Sequence, residues 1–247
     1  MPEAPLYILA IENSNPSAAD DAAPHGPGVA VLRAHEGAGA GPPTLLAIEP
    51  IRVVARERDD LMPAVDRAMT SAGLRPRQIG LVAVSVGPGG YTAVRSACSA
   101  GKMIAQAAGA RCAAVSSAHV AALAAIDAGL GDPFAVLLAS KDDSSHATRF
   151  DRAVTWNDVP ARAMNRGLIG AADVEPLQVA AIIADRFLPA PIRDEATRLR
   201  VRIIEPAFDA HRCGVLAVAT PWCDPVALNP FYPREPDAVR LWKQRQA

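Results

Sequence analysis

The 247-residue chain has no excess of charge of either sign: 25 lysines and arginines stand against 26 aspartates and glutamates, a formal net charge of −1. It therefore lacks an overall electrostatic footprint for a nucleic acid or an anionic membrane. No stretch approaches the ~20 apolar residues that a membrane span needs. The first residues lack the basic segment and long apolar run of a secretory leader, so cytoplasm is the expected compartment. The four cysteines, Cys98, Cys112, Cys213 and Cys223, have neither CxxC nor zinc-finger spacing and read as buried thiols.

Catalytic signatures are missing too. His25, His35, His119, His146 and His211 are scattered, with no HxxxH or HExxH pair to converge on a metal. Ser85 and Ser116-Ser117 lack the Gly-x-Ser-x-Gly elbow of a serine hydrolase. No catalytic residue and no metal ligand is therefore assigned.

Half of the residues are hydrophobic, ample for one large domain or two compact lobes. Tyr7–Ile11, Gly28–Arg33 and Leu45–Val54 read as strands, the third broken near Pro50. Asp59 or Asp60 then caps a helix in which Leu61, Val65, Met69 and Ala72 recur until Gly73 stops it. Leu81–Val86 is an apolar run typical of a strand buried on both faces, and Thr92–Ala108 is helical up to Gly109. Three meandering strands, a helix, a strand and a helix make half of a ribonuclease-H-like unit.

The second half is less regular. Phe134–Ala139 and Ala147–Val154 read as strands, while Pro176–Phe187 and Pro206–Ala219 read as helices. Loops are expected at Asn13–Pro27 and Glu36–Pro43, and Asp142-Asp143 reads as a turn. Pro230, Pro233 and Pro236 forbid a helix before Asp237, after which Trp242 would anchor a short amphipathic end.

The segment from Val84 to Ser96 joins an apolar strand to a helix through Gly87, Gly89 and Gly90. Such a turn can aim unpaired backbone N–H groups at a phosphate or carboxylate, or it can simply be a tight connection. It is neither a Walker loop nor GxGxxG.

Gly87-Pro-Gly-Gly-Tyr-Thr-Ala-Val-Arg95 resembles the Gly-Pro-Gly-Ser-Phe-Thr-Gly-Leu-Arg signature of the TsaB family. Ile8-Leu-Ala-Ile-Glu-Asn-Ser14 is similar to that family's opening strand, Asp60-Leu-Met-Pro-Ala-Val65 to its first helix, and Asn229–Ala238 to its closing segment. The resemblance implies an α/β fold of two ribonuclease-H-like lobes, ASKHA or actin-like, with a degenerate second lobe. Residues 1–112 would form the first lobe, and 113–247 the second with a proline-rich tail returning to the first.

It also implies a non-catalytic scaffolding subunit for the enzyme that makes threonylcarbamoyladenosine in tRNA. The expected partners are a catalytic TsaD-type subunit and a TsaE-type ATPase, with a homodimer when alone, tRNA met only through the complex, and no membrane. No cofactor is expected beyond ATP or ADP at a subunit interface. The partner surface would hold Leu61, Met62, Val65, Met69, Tyr91, Val94 and Arg95, and a nucleotide or anion contact would fall on Glu12, Gly87, Gly89 and Gly90. Glu12 and Asn13 replace the family's usual Asp and Thr, and Ala139-Ser-Lys141 replaces Asp-Ala-Arg, which leaves one acid at the cleft and argues against Mg-ATP hydrolysis. The rival reading is a small enzyme of the same fold, an ATP-dependent kinase or a divergent peptidase.

Overall fold

Aliphatic runs bounded by turn residues give the chain its strands. In the computed structural model, which describes residues 5–15, 26–34, 41–55, 58–151 and 155–234 with Trp242, Arg245 and Gln246, Leu6–Glu12 (β1), Gly28–Ala34 (β2) and Thr44–Pro50 (β3) form an antiparallel meander. Val53–Ala55 (β4) and Arg58–Asp59 (β5) make a small hairpin before helix α1, Leu61–Ser71. Ile79–Ser85 (β6) lies parallel to β1, helix α2 follows at Tyr91–Ala108, and Arg111–Val115 (β7) lies parallel to β6. The pause at Gly73 and the left-handed Gly109 end these helices where expected.

Ile8, Ala10, Ala30, Leu32, Leu81 and Ala83 face one side of this sheet, and Leu9, Ile11, Val29, Val31, Val82 and Val84 the other. All of them are 0 % exposed, so both faces are covered. Helices α1 and α2 cover the outer face.

A second sheet repeats the plan. Phe134–Lys141 (β8), Ser144–Phe150 (β9) and Ala163–Ile169 (β10) form its meander, with the short helix α4, Val159–Arg162, before β10. Ala181–Ala184 (β11) lies parallel to β8, and Arg202–Ile204 (β12) parallel to β11. Its order β10-β9-β8-β11-β12 matches β3-β2-β1-β6-β7 strand for strand, the first sheet adding Trp222–Cys223 (β13) beyond β7. Helix α5, Ala190–Arg198, stands where α2 stands in the first lobe, but the place of α1 is taken by two 3-10 turns at Ala171–Asp173 and Glu175–Leu177. These are the two lobes expected, the second one reduced.

Between the sheets lie α3, Ser117–Asp127, and α6, Ala210–Ala217. Ser116 caps α3 through Ala118 N–H at 3.3 Å, and Asp209 caps α6 through Arg212 N–H at 2.8 Å. The two helices are exchanged: α3 follows the first sheet yet packs on β8, and α6 follows the second yet packs on β1 and β2. Gly214 makes that approach close, since a Cβ there would sit 2.3 Å from Leu32 Cδ1.

Three expectations change. Strand β7 keeps the chain in the first sheet through Val115, past the boundary expected at 112. Pro176–Phe187 is not a helix but a turn and the strand β11, because Ala181, Ile182, Ile183 and Ala184 are all buried between α5 and the interlobe layer. Within Pro206–Ala219 only α6 is helical, started by the Asp209 cap. Asp142 and Asp143 do form the β8–β9 turn. Asp237 lies outside the described residues, and Trp242 is 59 % exposed rather than an anchor.

Candidate functional site

Parallel strands β1 and β6 end side by side, which sets Glu12 next to Ser85. The first residue of α3 joins them, with Ser85 Oγ and Ser117 Oγ 2.9 Å apart. Glu12 is fully buried: its Oε1 accepts from Ser14 N–H at 2.7 Å and Ser14 Oγ at 2.6 Å, while Oε2 has no hydrogen-bond partner among the described residues. Burial pushes this carboxyl up, against the opposing pull of hydrogen bonds from Ser14 and Ser85. Asp209 adds a second buried carboxylate nearby, held by Arg212.

The glycine turn is filled by the chain itself. Gly90 N–H, expected to be available for an anion, donates to Ser14 O at 2.7 Å. Ser14 comes so near that a Cβ at Gly89 would lie 2.1 Å from its carbonyl oxygen, which only glycine permits. Asn15 Nδ2 ties the strands of the turn through Ser14 Oγ at 2.9 Å and Pro88 O at 3.3 Å. Gly87 adopts φ +105° beneath Phe231, whose N–H donates to Val86 O at 2.8 Å. Glu12, Gly87, Gly89 and Gly90 thus gather at one end of the first sheet, around a closed turn.

The expected partner surface divides in two. Leu61, Val65, Met69 and Val94 are buried in the first lobe's outer core, so these four do not form an open face in the monomer. Met62 and Tyr91 are exposed, and Met103, which sequence periodicity did not single out, is 63 % exposed on the same outer layer. Ser96 and Ser99 lie exposed between Tyr91 and Met103 on α2. Arg95 donates from Nη1 to Tyr91 Oη at 2.7 Å and covers the Tyr91 ring, 5.1 Å from its centroid. Among the described residues its partner is thus an aromatic neighbour on the same helix.

Residues 48–148, from β3 into β9, match the family described as TsaD: tRNA N6-adenosine threonylcarbamoyltransferase. YeaZ from Pseudomonas aeruginosa is similar at 16 % identity and TM-score 0.59, over 92 % of this chain and 99 % of that one. The fold is that of YeaZ. A second structure, an uncharacterized protein with similarity to peptidase YEAZ from Pseudomonas aeruginosa, is similar at 17 % identity and TM-score 0.61, over 93 % of this chain and 100 % of that one. No curated protein matches. The resemblance to the TsaB family is borne out.

On the YeaZ fold, the residues that sequence reasoning missed belong to the C-terminal strap. Tyr232 packs on Tyr91 with ring centroids 5.0 Å apart and the rings tilted by 30°, and Phe231 meets the His146 ring edge-on at 5.3 Å. Arg234 donates from Nη2 to Ser144 O at 2.7 Å, Ser144 Oγ at 3.0 Å and Lys141 O at 3.1 Å. One short segment therefore joins the glycine turn of the first lobe to the β8–β9 hairpin of the second. The only sequence signal for it is the similarity of Asn229–Ala238 to the family's closing segment. Among the described residues no helix is long and apolar enough to cross a membrane, and no group of three His, Cys, Asp or Glu side chains is placed to hold a metal.

Proposed function

We propose that this chain is a non-catalytic scaffolding subunit of TsaB type, which binds and supports a TsaD-type catalytic subunit making threonylcarbamoyladenosine in tRNA. The observation that carries this reading is the contrast between its two candidate surfaces. The cleft end of the first sheet is packed with the chain's own Ser14, Asn15 and Phe231, while the outer helices expose Met62, Tyr91 and Met103 around small residues. Small residues let a partner helix approach, and methionine adapts to its shape. The homodimer and the catalytic subunit compete for this face, a TsaE-type ATPase completes the assembly, and tRNA is met through the complex. The place this assembly offers ATP or ADP is the subunit interface.

Co-purification with the catalytic subunit tests the reading. Met103→Glu, at a side chain 63 % exposed, is expected to weaken capture about tenfold or more and leave the circular dichroism unchanged. Unaltered capture by Met103→Glu and by Met62→Glu removes the outer face from the assembly. Saturable, metal-dependent ATP hydrolysis by homogeneous protein, abolished in Glu12→Gln, overturns the scaffold reading in favour of an enzyme.

A further inference from the structure

Three of the four cysteines meet on one side of the first sheet. Cys112 of β7 and Cys223 of β13 are directly opposed in the antiparallel register, Cα partner to Cα partner. Both side chains belong to the outer core, where Cys98 of α2 also sits. Facing residues of an antiparallel pair have Cα atoms about 4.5 or 5.5 Å apart. A disulfide spans roughly 4.4–6.8 Å between Cα atoms, so the backbone already holds this pair at bridging distance. From this juxtaposition we propose that Cys112 and Cys223 form a reversible disulfide when the protein meets a low-molecular-weight disulfide such as glutathione disulfide.

The two thiols have different parts. Cys112 is fully buried and its thiol is pushed up to about 11, whereas Cys223 is half-buried on the outermost strand, where the charges of Arg111 and Lys102 oppose the effect of burial. Cys223 is the entry point. Its thiolate attacks one sulfur of glutathione disulfide and expels one glutathione thiolate, leaving a mixed disulfide. The Cys112 thiolate then attacks the Cys223 sulfur and expels the second glutathione. Each departing glutathione takes up the proton one protein thiol has lost, so two protein thiols are oxidised and one glutathione disulfide is reduced to two thiols. Cross-strand pairs hold their Cβ atoms farther apart than a relaxed disulfide prefers, which makes the bond easy to reduce again.

The bond would fasten a two-residue strand that leads straight into the interlobe strap. Beyond Cys223, Lys102 donates from Nζ to Val226 O and to Asn229 Oδ1, each at 3.2 Å, and Phe231 and Arg234 follow. Oxidation therefore locks the start of the segment that ties the lobes together.

Thiol counting and peptide mapping after incubation of the full chain with excess glutathione disulfide test this. Two of the four thiols are expected to disappear, with one peptide pair joining Cys112 to Cys223, and reductant should restore all four. Cys98→Ser should still form the bond, whereas Cys112→Ser should stop at the mixed disulfide on Cys223. A Cys98–Cys112 bond, a Cys223–Cys223 bond between chains, or four thiols unchanged after a day in oxidant each overturns the proposal.

Discussion

The two lobes share one strand order and differ in what covers it. In the first, α1 and α2 lie across the outer face and leave Met62, Tyr91 and Met103 exposed. In the second, α5 is helped only by two 3-10 turns, and Val174, Leu177, Leu188 and Ile192 close that face. The first lobe thus keeps a full pair of helices outward, and the second spends its sequence on a thinner cover. On the function proposed above, the partner surface belongs to the first lobe, while the interlobe layer of α3 and α6 holds the two sheets together.

Enlarging Gly214 strikes that layer hardest. Gly214→Val forces α6 off Leu32, whose Cδ1 would lie 2.3 Å from the new Cβ, and should cost about 3 kcal/mol or more by overpacking. Urea denaturation followed by tryptophan fluorescence measures it; a loss under ~1 kcal/mol would mean that the helix exchange does not set the spacing of the lobes.

His119 probes the other exchanged helix, because its ring meets Phe150 of the second lobe edge-on at 6.1 Å. Burial lowers its pKa from 6.5 to about 4. A base depressed in the folded state contributes stability that is full above pH 6.5 and is lost as the pH falls through about 4. The loss over that window should be on the order of 2 kcal/mol, and His119→Gln should flatten it. Melting temperatures of both proteins between pH 7 and pH 4 decide; parallel curves would place the acid sensitivity elsewhere.

Glu12 gives the smallest effect and stays within the first lobe's end. Its pKa is raised by burial, so the stability it contributes is complete below the ordinary value of 4.5 and is lost as the pH rises through the folded value. Glu12→Gln keeps an oxygen for Ser14 and removes the ionisable group, and should raise stability at neutral pH by ~1 kcal/mol with no gain at pH 4. A destabilised variant at pH 7 would instead show that the charge at Glu12 is held for use.

Much of the first lobe was legible in the sequence because each of its elements carries a local signal. Gly73 and Gly109 mark helix ends, Pro50 breaks the third strand, and Leu81–Val86 reads as a run covered on both faces. The second lobe lacked such marks: Ala181–Ala184 is a short apolar run whose strand character comes from pairing with β8 and β12, contacts that no local pattern announces. At the site, sequence located Glu12 and the glycine turn but not their closure, which depends on Ser14 and on Phe231, far along the chain. Helical spacing likewise identified Leu61, Val65 and Met69 as one face without telling whether it meets the sheet or a partner; it meets the sheet.

The helix exchange also governs how the protein is made. Synthesis delivers β1 to β7 first, but the helix that seals the inner face of that sheet, α6, begins only at Ala210. A ribosome adding about 5–20 residues per second leaves Ile8, Ala10, Ala30 and Leu32 without their cover for several seconds after the sheet's strands have emerged. Neither half of the chain can be cut free as a finished unit, since each carries the other's lid. The last third of the chain is therefore a condition for the first sheet to close its inner face against water.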